Sequence, residues 1–385
     1  MKKLLFIFVS LSVLLAACGP TTSPTSLSPT ETSVPPTLQS PTVTLELQPT
    51  SNLPYPAEGY GPTNFPSNVD PLTGLQVANP ALLERRPMLV KVSNMGRDNR
   101  PQWGLSLADI VFEYYTEEGS TRFAAVFLGN NADKVGPVRS GRFIDTYLVR
   151  GYKALFAFGS AYVAEMNRFM NSEFVDRLFI GFQESNSPFS HFDPNGYNFL
   201  LVDTAALSDF ATTKGVENGR QNLDGMSFKL EPPAGGQPVT QVYVRYSGAV
   251  YNRWDYNAAT GRYLRFVDTA NDYNDNNEQY AQLTDRLTNQ SIAFDNLVVL
   301  YATHELYSPG IYDIQLTGSG DAVAFRDGQA YQVKWQRGSS DVVSLTNPDG
   351  TPFPFKPGTT WFEVIGTTSR LQQTNQSWRF IHQMP

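Results

Sequence analysis

Cysteine is all but missing from this chain. Cys18 is the one cysteine in 385 residues, so no intramolecular disulfide can form, and the folded part can hold neither a thiolate nucleophile nor a cysteine-ligated zinc. Histidine is nearly as scarce: His191, His304 and His382 lack metal-ligand spacing, and His304-Glu305 is not followed by the second histidine of a zincin helix. The glycine fingerprints of phosphate and dinucleotide binding are absent, as is the Gly-x-Ser-x-Gly elbow of serine hydrolases. No metal or cofactor is expected on these grounds. There is also no basic run; 29 Lys and Arg against 36 Asp and Glu give a net charge of −7, which argues against nucleic acid as a partner.

Aromatic residues are plentiful, at 13% with 19 Tyr and 25 Phe, and a hydrophobic share of 41% is enough for a sizeable core. The length suits two ordinary domains plus tails. Lys2 and Lys3 precede an apolar run, Leu4 to Leu15, that ends in Leu15-Ala16-Ala17-Cys18, which reads as a secretory signal peptide over residues 1–17. A cysteine directly after Leu-Ala-Ala resembles a bacterial lipobox. On that resemblance Cys18 is the lipidation site, and the expected location is the outer face of the cell membrane. Residues 18–66 are rich in Ser, Thr and Pro, with no Lys or Arg between Lys3 and Arg85, and read as a disordered tether. In polyproline geometry it would reach on the order of 150 Å.

Past Asp70-Pro-Leu-Thr-Gly74, strand-like runs alternate with helical ones, predicting a mixed α/β domain over residues 67–230. After Glu231-Pro-Pro-Ala-Gly-Gly-Gln-Pro238 the pattern is nearly all strand and turn, predicting a mainly antiparallel β domain over 231–385 and an α+β chain as a whole. The most informative stretch runs from Arg100 to Asp145, where charged residues sit inside apolar runs. Burying them is costly unless they are paired or used. Glu113 interrupts IVFEYY, Arg122 opens RFAAVFL, and Arg139 and Arg142 follow a Gly-Pro turn. A hairpin closed by Thr116-Glu-Glu-Gly-Ser120 would put Arg122 near Tyr114, one position out of register from Glu113, so that a Glu113–Arg122 contact is possible but not implied.

Two constellations can carry chemistry. Arg139 and Arg142, with Ser140 as a helix cap, would suit a phosphate or carboxylate, or else would pair with Asp133, Asp145, Glu113 or Glu117-Glu118 and hold hairpin to helix. Glu113, Glu117 and Glu118 offer carboxylates for acid–base work on a glycoside, although neighbours on a hairpin tip are usually just solvated. His191, between Phe189 and Phe192 in a polar loop, is either a proton shuttle or a packing residue. Trp103, Trp254 and Trp335 are sugar-stacking platforms or, more commonly in such sequences, core residues.

RPQWGLSLADIVFEYYTEEGSTRFAAVF followed by DKVGPVRSGR is similar to the first half of the YerB-like bacterial lipoproteins, and GRYLRF, LTGSGDAVAFRDGQAYQVKW and FPFKPGTTWFEVI resemble that family's C-terminal domain. The resemblance covers most of Met88 to Ile365 and implies a two-domain, membrane-anchored protein. It maps the family's recurrent polar positions onto Asn94, Arg100, Gln102, Asp109, Glu113, Glu118, Arg122, Arg139, Arg142 and Asp145. A His-Asn step of the family stands here as His191-Phe192. The resemblance brings no activity with it. The expectation is a non-enzymatic, lipid-anchored envelope protein that binds an anionic or glycan wall ligand, or a protein partner, through its arginines. The alternative is a hydrolase of envelope polymer that uses Glu113 or Glu118 with His191.

Overall fold

The signature of the fold is a set of apolar runs too continuous for a sheet with one wet face. In the computed structural model, which describes residues 55–384 apart from 182–186, 194–195 and 197–198, IVFEYY, RFAAVF and TWFEVIG are strands buried on both faces. The signal peptide, Cys18 and the tether as far as residue 54 lie outside the described residues.

The N-terminal half supplies β1 (Met88–Ser93), β2 (Ile110–Tyr115), β3 (Thr121–Phe127), α1 (Phe143–Tyr152), β4 (Leu155–Phe158), α2 (Val163–Met170), β5 (Leu178–Ile180) and α3 (Thr204–Thr213). The C-terminal half adds β6 (Gln237–Arg245), β7 (Tyr251–Asn257), β8 (Arg262–Asp268), β9 (Asn296–Ser308), β10 (Ile311–Gln315), β11 (Gly318–Arg326), β12 (Gln329–Arg337), β13 (Ser344–Thr346), β14 (Thr360–Gly366), β15 (Arg370–Thr374) and β16 (Gln376–Ile381). Strand outweighs helix, and the three α-helices among the described residues all belong to the N-terminal half. The protein is therefore mainly β rather than a balanced α+β chain.

The strands do not stay within their halves. One sheet runs β5-β4-β1-β3-β2-β14-β9-β11-β12-β13, and its middle joint is the parallel pair of β2 with β14. A second sheet, β15-β16-β6-β7-β8, packs against one face of the first. Val111, Phe123, Ala125 and Trp361 meet Val242, Trp254, Tyr263 and Phe380 in the core between the sheets. The opposite face carries Ile110, Phe112, Tyr114, Ala124 and Phe362 against α1 and the residues around it. The described residues thus form one compact unit rather than two separate bodies.

Order also begins earlier than the sequence suggests. Tyr60 bridges Phe228, and Gly225 donates to the Pro62 carbonyl at 2.7 Å, so the last dozen residues assigned to the tether are a strap on the fold. The β2–β3 hairpin has the expected register, with Tyr114 opposite Arg122 and Glu113 opposite Phe123. Its loop places Glu118 at φ +51° and Gly119 at φ +75°.

Candidate functional site

The charged residues picked out by the sequence separate onto the two faces of the first sheet. Between the sheets, Glu113 on β2 lies directly beside Glu363 on β14 in the parallel register, and both are fully buried. Two adjacent carboxylates in a dry interior demand a cation. Arg265 on β8 provides it from the facing sheet: Nη2 donates to Glu113 at 2.5 Å and Nη1 to Glu363 at 3.0 Å. Trp254 Nε1 donates to Glu363 at 2.9 Å and the Tyr246 hydroxyl at 3.0 Å. Thr121 and Asn94 donate to Glu113 at 2.8 and 3.2 Å. Burial pushes the Glu113 carboxyl up to about 8, with Glu363 adding to the rise and Arg265 pulling it back.

Arg100 and Gln102 support this side of the sheet. Arg100 donates to the Asp268 carbonyl at 2.9 Å and to Asn94 at 3.2 Å, tying its loop to β8. Gln102 is buried and donates to the Ser93 carbonyl at 3.1 Å. None of Arg100, Gln102 and Glu113 lines an opening of the kind described next.

On the other face, Lys91 of β1 sits fully buried, 3.3 Å from Asp145 and 3.9 Å from the centre of the Tyr114 ring, with the Tyr114 hydroxyl bonded to both charged groups. Burial lowers Lys91 to about 7, against the pull of Asp145, and burial likewise raises Asp145. Asp145 also accepts from the Arg142 backbone N–H at 2.7 Å and so closes the first turn of α1. The helix begins at Phe143 with Arg142 as its flanking residue, so Ser140 is not the cap; its hydroxyl meets Ser160 at 2.9 Å instead.

Outward from Lys91, Arg142 is gripped by Glu117 of the hairpin loop. Nε donates to Oε2 at 2.9 Å and Nη2 to Oε1, while Nη1 donates to the Gly141 carbonyl at 2.9 Å. Burial alone would raise the Glu117 carboxyl, but the Arg142 hydrogen bonds and charge overcome it and hold Glu117 below its ordinary value. Arg122 is buried, donates to the Thr121 carbonyl at 2.9 Å and lies 3.7 Å from Glu117. Gly141 is required here, because a Cβ would come within 2.7 Å of the Phe169 ring.

These groups floor a cavity of about 210 Å³ lined by Tyr115, Glu117, Arg142, Tyr162, Glu165 and Tyr312. Ile144, Ile311 and Ile314 complete its apolar wall. Both halves of the chain build it. The β9–β10 hairpin is fastened over α1 and α2 by Arg168 to Asp313 at 2.6 Å, Tyr147 to Gln315 at 2.7 Å and the Phe143–Tyr307 ring contact at 4.7 Å. Glu165 is 1% exposed; its Oε2 accepts from the Tyr162 N–H at 3.2 Å, and its Oε1 stands 3.9 Å from Arg142 Nε. Burial raises Glu165 to about 7, with Arg142 opposing.

Of the residues singled out in the sequence, Glu117 and Arg142 line this cavity, with Arg122 and Asp145 directly behind them. Arg139 is half-buried on the segment after the cis Gly136-Pro137 bond, its backbone N–H bonded to the Lys91 carbonyl at 2.9 Å. Glu118 is exposed at the loop tip, and His191 is exposed on the short hairpin of Phe189–His191 with Leu200–Val202, where it meets Phe199. Lys91, Glu165, Arg265 and Glu363 were missed. Glu363 in TWFEVI and Lys91 in MLVKVS carry the same signal as Glu113, a charge inside an apolar strand run. Glu165 has no such signal, since at the third position of a helix it looks like an ordinary capping residue. Trp254 and Trp335 are buried core residues, and Trp103 packs on Phe192 and under Arg286.

This architecture defines a two-sheet β protein with a largely apolar cavity, floored by a few charged groups, where its two sequence regions meet. Residues 72–215 match the N-terminal domain, and 242–362 the C-terminal domain, of the protein family of unknown function DUF3048. The chain belongs to this YerB-like family. It is 28% identical over 305 residues to the Bacillus subtilis protein named "Putative lipoprotein YerB", covering 77% of this chain and 85% of that one. The crystal structure of Bacillus subtilis YerB superposes with a TM-score of 0.65 at 26% identity, over 77% of this chain and 96% of that chain.

Proposed function

We propose that this is a lipid-anchored extracytoplasmic binding protein, held to the membrane through Cys18, whose ligand is a glycan or peptide of the cell wall seated in the cavity between the two family regions. The observation that carries the reading is the cavity's composition. Three tyrosines and three isoleucines wall a floor made of Glu117, Arg142 and Glu165, the mix of apolar wall and few fixed polar groups that suits an organic ligand.

The arginines favour this over an inorganic anion. Arg142 already holds both oxygens of Glu117, Arg122 lies behind it, and Arg139 does not line the cavity. A hydrolase has less support. Glu113 is sealed between the sheets, Glu118 and His191 lie outside the cavity, and the oxygens of Glu117 that would act as base are occupied by a guanidinium.

The full chain in detergent should retain peptidoglycan fragments in a pull-down, and Arg142→Gln should abolish retention while the protein stays folded. Retention unchanged in Arg142→Gln would sink the reading. Cys18→Ser should move the protein from the membrane to the soluble fraction.

A further inference from the structure

Resting on the binding reading above, we propose that the cavity receives a primary ammonium group of its ligand, seated against Glu165 and enclosed by Tyr115, Tyr162 and Tyr312. The charged residues that line the cavity are one cation, Arg142, and two carboxylates, Glu117 and Glu165. Arg142 spends its Nε and Nη2 on Glu117 and its Nη1 on the carbonyls of Ser140 and Gly141. Its Nε is 2.9 Å from Glu117 but 3.9 Å from Glu165, so the second carboxylate keeps an ion-pair contact without a hydrogen bond.

Glu165, 1% exposed and lining the cavity, thus has one oxygen, Oε1, that accepts no hydrogen bond from the described residues. A buried carboxylate in that state is costly, and a donor that also brings positive charge relieves both deficits. The walls fit the same guest. Tyrosine rings present a negative π face to a cation, and Tyr115 and Tyr312 stand edge to face with centroids 6.0 Å apart. Tyr162, 52% exposed, forms the mouth. A carboxylate or phosphate guest would instead meet two carboxylates and a guanidinium with no free fork. The ligand class that follows is an amine-bearing wall peptide, entering with its ammonium first. The raised Glu165 carboxyl agrees with a site that waits for a cation.

The experiment uses the full chain with isotope-labelled tyrosine, titrated separately with n-butylammonium, n-butanol and n-butyrate while ring resonances are followed. Butylammonium should give saturable shifts at an affinity at least ~10-fold above butanol, and butyrate none. Glu165→Gln, which keeps an acceptor oxygen but loses the charge, should weaken butylammonium about 10-fold with a melting temperature at neutral pH no lower than that of wild type. The exposed Tyr162→Leu, which leaves the core untouched, should weaken it ~2–5-fold. Equal binding of butanol, preferential binding of butyrate, or an unaffected Glu165→Gln each overturns the proposal.

A parallel pull-down compares native peptidoglycan fragments with fragments whose free amines are acetylated, and acetylation should abolish retention. Retention of both kinds overturns the ammonium site and leaves the wall-binding reading standing. Butylammonium binding without retention of either kind overturns the wall reading and leaves the ammonium site standing.

Discussion

The two faces of the first sheet solve the same problem in opposite ways. Between the sheets, Glu113, Glu363 and Arg265 are all fully buried, and every carboxylate oxygen has a protein donor. On the helix side, Lys91 and Asp145 are equally buried, but the chain of charges continues outward through Arg142 and Glu117, 15% and 34% exposed, and ends at Glu165 on a cavity wall. A closed network fixes geometry, because both carboxylates are satisfied only when both sheets and both halves of the chain are in place. An open one leaves a place for something else. The difference explains why Glu113, the most conspicuous charge in the sequence, is a fastener, whereas the inconspicuous Glu165 lines the cavity.

The strongest test of that contrast is Arg265→Met. It leaves Glu113 and Glu363 side by side without a cation, and should cost about 3–5 kcal/mol in chemical denaturation or prevent folding outright. A loss below about 1 kcal/mol would show that the triad is no fastener. Arg142→Gln should cost less, about 1–2 kcal/mol, because its partner Glu117 is a third exposed and water can take over. Its main effect should appear in ligand retention.

Titration separates the clusters further. Glu165 is raised to about 7 and Glu113 to about 8, both above the ordinary carboxylate value near 4.5, so the folded state binds the extra proton. Their contribution is present below about pH 4.5 and is lost as pH rises through the folded values. Lys91, lowered to about 7, has the opposite slope, since above that pH the unfolded chain carries the extra proton and stability rises toward pH 10.5. Melting temperatures across pH 4.5–9 should therefore fall less steeply in Glu165→Gln up to about pH 7, and in Glu113→Gln up to about pH 8. Coincident profiles for wild type and both variants would remove this distinction. The smallest effect is expected from Glu118→Ala at the exposed loop tip, within about 0.5 kcal/mol by thermal melt and with ligand retention unchanged.

Much of the local structure was legible. Asp203 caps α3 by accepting from the Ala206 N–H at 2.9 Å, and Asp327-Gly328 makes a tight hairpin with both residues at positive φ, as their residue types dictate. Charges within apolar runs correctly marked Glu113, Arg122 and the region around Arg142 as places where burial must be offset. What they did not say was by whom. Arg265 is 152 residues from Glu113 along the chain, and Gln315, which fastens Tyr147, is 168 residues away from it. Such partners are chosen by sheet order and not by spacing.

The sequence by itself determined the family, the strand character of the apolar runs, the hairpin register and the fact that buried charges would need partners, because these follow from local pattern and burial cost. Only the tertiary structure decided that β14 would slot in beside β2, turning two apparent domains into one sheet. That single parallel pairing placed Glu363 next to Glu113 and brought the β9–β10 hairpin over the N-termini of α1 and α2. Backbone hydrogen bonding between strands is indifferent to their separation in sequence. The side chains that meet across it are therefore readable only once the pairing is known.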